Sequence, residues 1–161
     1  PAVVALGVPL YLQLGTIRKQ LVPILLSELA GCVVGILSVV YIAKEMGATP
    51  DVIRSLAPKS VTTPIAMEVT KAVGGIPSLT AAVVVCVGLM CAVCGYKTMG
   101  FARVKSPVAQ GLSMGTAAHA LGTATSMDVS RVHGAYASLG LTLNGIFTAL
   151  LTPSILPMLN I

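Results

Sequence analysis

Charge is what this sequence has least of. Charged residues make up 9% of its 161 residues, against about 25% in a soluble domain. A water-facing surface cannot be built from so few, which excludes a soluble enzyme, a disordered tail and a nucleic-acid module. Tryptophan is absent and only six residues are Tyr or Phe, so nothing suggests a base-stacking surface. Five acidic residues form no paired catalytic set, and neither a Gly-rich phosphate loop nor an H-E-x-x-H occurs. Pro1–Leu14 is apolar but lacks a basic flank before it and a small-residue cleavage signal after it, so it is no intact signal peptide. About fourteen residues are too few to cross ~30 Å of hydrocarbon, so the stretch reads as the tail of a span, with further spans expected upstream.

What is present is apolar: 55% of residues, with a mean hydropathy of +0.93. A net charge of +5 then points to basic loops at an anionic membrane surface. Gly15–Gln20 reads as a loop and Val22–Ala43 as a span broken only by Ser27, Glu28 and Ser38. Gly31 and Gly35 form a GxxxG pair suited to close helix packing. Glu28 either faces the bundle interior or lies near the headgroups. Lys44–Pro50 is a loop, and Thr49-Pro50-Asp51 has the form of a helix start. Leu79–Tyr96 is a clean span, and the loop Lys97–Ser106 carries three positive charges and no negative one. Asp128–Arg131 is a charged break. In the last apolar stretch, His133–Ile161, Pro153 and Pro157 are expected to bend or end the helix.

Two stretches do not read as ordinary spans. Val52–Ser78 is interrupted by Pro58 and Pro64, with Lys59, Ser60, Thr62 and Thr63 between them. Unpaired backbone at membrane depth is tolerated only inside protein or beside water, so this is a discontinuous or re-entrant segment or else an external loop. Pro107–Met127 is built of Ala, Gly, Ser, Thr and Leu around Gln110 and His119, with Gly111, Gly115 and Gly122. Such a helix suits a bundle centre better than lipid. The fold class is therefore all-α, a polytopic membrane helix bundle with two interrupted or re-entrant segments, and residues 1–161 form a single transmembrane domain.

A half-helix beginning at Pro64, capped by Thr62 or Thr63, presents free N–H groups beside the Lys59 ammonium, which suits a small carboxylate. The plainer alternative is that Lys59 snorkels and the hydroxyls repair a helix break. His119 binds substrate, relays a proton or bonds a neighbouring helix; His133 reads as interfacial. Gly111-Leu112-Ser113-Met114-Gly115 matches a hydrolase elbow, but no strand precedes it, so no catalytic site is assigned. Cys32, Cys86, Cys91 and Cys94 sit in apolar spans and read as packing residues, with neither a metal nor a disulfide expected.

The run Pro58–Met67, followed by Gly74-Gly75-Ile76-Pro77, resembles the LrgB/CidB family of bacterial membrane proteins. Ser106–Gly111, Gly115–Ala124 and Gly134–Leu139 fit the same family. The resemblance implies a multi-pass protein of the bacterial inner membrane that works with a small LrgA/CidA-type membrane partner. It implies either transport of small monocarboxylates (the pyruvate, lactate and glycolate class) or antiholin-like regulation of murein hydrolase export and cell lysis. On the transport reading, Lys59, Ser60, Thr62 and Thr63 line the anion site and face Thr116, His119 and Thr123, with Pro58, Pro64, Gly115 and Gly122 shaping the breaks. No cofactor, metal or nucleic acid is expected. Lipid contact and a homo-oligomer are.

Overall fold

The computed structural model describes Tyr11 and residues 14–161, except for the side chains of Leu14 and Thr16. The span tail expected at Pro1–Leu14 lies almost wholly outside the described residues. Among those described, the fold is a bundle of helices without strands: α1 (Leu14–Lys19), α2 (Leu21–Glu45), α3 (Pro50–Leu56), α4 (Thr63–Ala72), α5 (Pro77–Phe101), α6 (Pro107–Val129) and α7 (Arg131–Met158). Three of these, α2, α5 and α7, are long and apolar enough to cross a membrane. Their exposed faces carry large apolar side chains such as Val34, Ile42, Leu89, Val93 and Leu150, as lipid-facing helices do.

Four local readings differ. Gly15–Gln20 is largely helical, because Ile17 is buried against Ile24, Leu112 and Tyr136 and anchors the turn. Helix α5 runs on through Lys97 to Phe101; Thr98 returns its hydroxyl to the Cys94 carbonyl at 3.0 Å and so keeps its polar group inside the helix. Pro153 does not end α7, which closes only at Met158, one residue past Pro157. The GxxxG pair makes no close helix contact among the described residues. A Cβ on Gly35 would meet nothing within 4 Å, and one on Gly31 only a Thr116 methyl at 3.7 Å.

Val52–Ser78 is interrupted, as its prolines dictate: α3 stops at Leu56 and α4 starts at Thr63, with Pro64 in its first turn. Neither piece, at about 10 and 15 Å, could cross the hydrocarbon alone. Hydrogen bonds show that the segment turns back. Ser55, at the end of α3, accepts the Ile76 N–H on its hydroxyl (2.7 Å) and the Thr80 hydroxyl on its carbonyl (2.9 Å). Thr80 also bonds Thr70, near the end of α4, at 2.8 Å. The end of α3, the end of α4 and the start of α5 thus share one level, and residues 57–69 leave it and return. Gly74, at φ +76°, closes the turn into α5, where a side chain would strain the backbone.

Helix α6 turns back too. His119 sits at φ 44° and ψ −133°, outside the helical region. In a straight helix, residues eight apart lie ~12 Å apart along the axis. Here a Cβ on Gly122 would strike the Met114 carbonyl and lie 2.5 Å from the Ala118 Cβ. The register against α7 gives the same answer. Gly111 faces His133 and Tyr136, Gly115 faces Ala137, and Thr116 faces Gly140 and Asn144, so residues 107–118 run parallel to α7. Since α7 follows α6 through Ser130 alone, residues 120–129 must bring the chain back. Helix α5 agrees: Gly95 faces Met114, Gly88 faces His119, and Tyr96 bonds Ser126 at 2.9 Å.

The two hairpins therefore enter from opposite ends of the bundle. The first starts where α2 ends and α5 begins; the second starts where α5 ends and α7 begins. Each tip lies deep among α2, α5 and α7.

Candidate functional site

Both tips converge on one side chain. Asn144, midway along α7 and 1% exposed, donates from Nδ2 to the Ser60 carbonyl (3.0 Å) and to the Thr116 carbonyl (2.9 Å). Ser60 lies in the turn between α3 and α4. Thr116 lies in the last turn before His119, where helix carbonyls run out of intrahelical partners. The amide thus satisfies one orphan carbonyl from each hairpin. A second tie runs through Val84 on α5, which packs with Val61 and Ala66 of the first hairpin. Its carbonyl meets His119 Nε2 of the second at 3.0 Å.

Beside the tips lies a cavity of about 830 Å³, lined by α2, the 57–60 stretch, residues 106–117 of α6, and Asn144 and Thr148 of α7. Lys59 and Glu28 are the charged groups on its wall. Lys59 Nζ donates to the Gly35 carbonyl (3.2 Å) and to Ser60 Oγ (3.5 Å), leaving one of its three donors for the cavity. Glu28 is 2% exposed, which settles the choice between interior and headgroup in favour of the interior. Its two carboxylate oxygens face the Thr116 hydroxyl at 2.8 and 2.6 Å, and that hydroxyl also lies 2.8 Å from the Leu112 carbonyl. Gly140 makes room, because a Cβ there would come within 3.2 Å of both Glu28 Oε1 and Thr116 Oγ1. One turn along α2, the Cys32 thiol meets Thr148 Oγ1 at 3.4 Å.

The seven residues named from the sequence divide by position. Lys59, Ser60 and Thr116 line the cavity. Thr62 and Thr63 are half-buried at the start of α4, outside it; Thr62 holds the N-cap position, but its side chain makes no capping bond. His119 is buried against α5, and Thr123, also buried, returns its hydroxyl to the His119 carbonyl at 2.9 Å, so both stabilise the second tip rather than face the cavity. Pro58 is buried in the first tip and Pro64 is exposed in the first turn of α4. Gly115 and Gly122 permit the close approaches of the second hairpin: a Cβ at Gly115 would collide with the Ala137 carbonyl. Ser113, of the G-x-S-x-G match, sits on a helix facing the cavity.

Glu28 and Asn144 were not among those seven. Each is a lone strongly polar group in an apolar span, which was the available signal. What they meet depends on contacts 84 and 88 positions away in sequence.

A family model for the LrgB-like family matches residues 1–158. A protein of Haemophilus influenzae described as uncharacterized is 39% identical over 158 residues, covering 98% of this chain and 68% of that protein. The antiholin-like protein LrgB of Bacillus cereus is 33% identical over 160 residues, 99% of this chain and 70% of the relative. Its counterpart in Bacillus anthracis matches equally. No solved structure matches. The chain is a member of the LrgB-like family of membrane proteins.

Proposed function

We propose that this chain is a multi-pass protein of the bacterial inner membrane that moves small monocarboxylates of the pyruvate, lactate and glycolate class, without catalytic chemistry. The observation that carries the reading is the cavity at the hairpin tips, with the Lys59 ammonium on its wall. At about 830 Å³ it lies within the usual range of small-ligand sites and holds a three-carbon acid together with water. The ammonium and the Ser60 hydroxyl suit a carboxylate. The packing of two broken segments, entering from opposite ends, supports access from either side.

Charge supports an orientation. The end where α2 starts carries Arg18, Lys19, Lys97, Arg103, Lys105 and Arg131 against Asp128 alone. The opposite end carries Lys44, Arg54 and Lys71 balanced by Glu45, Asp51 and Glu68. The positive-inside tendency then puts the first end in the cytoplasm.

The second reading is an antiholin-like regulator of murein hydrolase export and cell lysis. The antiholin-like names of the Bacillus relatives favour this reading over transport. An assembly with a small LrgA/CidA-type membrane protein, or with further copies of this chain, fits either reading through the exposed apolar faces of α2 and α5.

The test is uptake of labelled pyruvate, lactate and glycolate into vesicles holding the full-length protein, with and without its small partner. Saturable uptake of at least one acid, cut about tenfold or more by Lys59→Met, is expected, since a hydrogen bond to a charged group contributes about that much. Uptake no greater than in empty vesicles, with the protein inserted and the partner present, rejects transport and leaves the regulator.

A further inference from the structure

We propose that Glu28 is the proton-exchange group of this cavity, and that the Thr116 hydroxyl is the two-position partner that registers its charge. The inference deepens the transport reading and rests on it.

Of the five carboxylic residues in the chain, Glu45, Asp51, Glu68 and Asp128 are exposed, and Glu28 alone is buried. Its surroundings do not supply what a permanent carboxylate needs. Among the described residues no cation forms an ion pair with it. Lys59, whose ammonium meets α2 about two turns beyond Glu28, spends two donors on Gly35 and Ser60. Cys32, one turn along the same helix, is the other titratable group nearby, and its thiol is turned to Thr148. Helix α6 presents Leu112 and Thr116, and α7 presents Gly140 and Asn144, none of them titratable. The two histidines point elsewhere, His119 to Val84 and His133 to Gln110.

Donor counting then gives two arrangements. Thr116 has one hydroxyl hydrogen and three acceptors within 2.8 Å: both Glu28 oxygens and the Leu112 carbonyl. When Glu28 is ionised, the hydrogen must point at the carboxylate, which has no other donor among the described residues. When Glu28 is protonated, its own O–H donates to Thr116 Oγ1 and the threonine hydrogen turns to Leu112. Each arrangement is internally consistent, and one hydroxyl rotation separates them. In the exchange, a carboxylate oxygen takes a proton from hydronium in the cavity, forming O–H and leaving water. Release to water reverses the step, so no other reactant is needed. The change is felt at the tips because the same residue's carbonyl is held by Asn144, which also holds Ser60.

The experiment pairs infrared difference spectra with uptake, both on full-length protein in lipid vesicles. A pH step is expected to titrate a protonated-carboxyl band in the wild type that Glu28→Gln removes and Glu45→Gln keeps. A gradient of one pH unit, worth about tenfold accumulation per proton carried, is expected to drive labelled pyruvate, lactate or glycolate uptake in the wild type. Glu28→Gln loses that component. Thr116→Val, which keeps the shape and removes the hydroxyl, lowers it about tenfold, and Thr116→Ser restores it. The inference alone is overturned if acids are taken up but no buried carboxyl titrates, or if Glu28→Gln responds normally to the gradient. It is also overturned if a sodium gradient at constant pH drives uptake and Glu28→Gln abolishes that, which makes the site a cation site. If the band titrates as described but no acid enters by any route, the transport reading falls, and the coupling role of Glu28 falls with it.

Discussion

The two hairpins do the same thing by different means. The first is broken by chemistry that any helix would obey. Pro58 and Pro64 remove two backbone donors within seven residues, and a six-residue non-helical stretch follows between Leu56 and Thr63. The second has no proline at its break. It reverses at a single histidine held at φ 44°, a conformation that costs a non-glycine residue ~1–3 kcal/mol and persists only where the surroundings impose it. Those surroundings are close contacts on both flanks: Gly115 on Ala137, Gly122 on Met114 and Ala118, and Gly88 on the His119 ring. One turn is written locally, the other by packing.

This contrast orders the effects of substitution. Gly115→Leu should be the most damaging single change outside the cavity, because its side chain must enter the Ala137 backbone; a loss of at least ~3 kcal/mol, the upper range for overpacking, is expected in detergent unfolding. A normal unfolding midpoint would mean that residues 107–118 do not lie against α7. Asn144→Leu attacks both hairpins at once. It leaves the Ser60 and Thr116 carbonyls without this donor, at about 2 kcal/mol, and should increase protease access at both tips together rather than at one.

His119 separates backbone from ring. Both His119→Ala and His119→Gly lose the bond to the Val84 carbonyl, but only glycine relieves the left-handed backbone. The glycine variant should therefore be the more stable of the pair by ~1 kcal/mol, read as the higher midpoint in a thermal melt. The reverse order would place the reversal elsewhere. The smallest effect belongs to Gly35→Ala. Among the described residues a Cβ there meets nothing within 4 Å, so stability should stay within ~0.5 kcal/mol of wild type.

The same contrast explains what could be read from sequence. The three long apolar helices and the first break were legible, since hydropathy and proline act within a few residues. The small-residue character of 107–127 was legible too, but it is compatible with a straight helix at a bundle centre. Only the approach of Gly122 to Met114 and the parallel register with α7 distinguish a hairpin. At the site, Lys59, Ser60 and Thr116 line the cavity, whereas Thr62 and Thr63 do not, because the chain has already turned into α4 at that point. Glu28 stood out as an isolated polar residue, but its role, like that of Asn144, comes from partners on other helices.

The central claim is that both interrupted stretches turn back, from opposite ends. It is tested by single cysteines at four exposed positions, Lys44, Lys71, Lys105 and Asp128, in a cysteine-free full-length protein. Each is labelled in oriented vesicles with a thiol reagent that cannot cross the bilayer. Positions 105 and 128 should label together from one side and positions 44 and 71 together from the other. Labelling of 105 and 128 from opposite sides, or of 44 and 71 from opposite sides, would show that the corresponding segment crosses the bilayer and would contradict the claim.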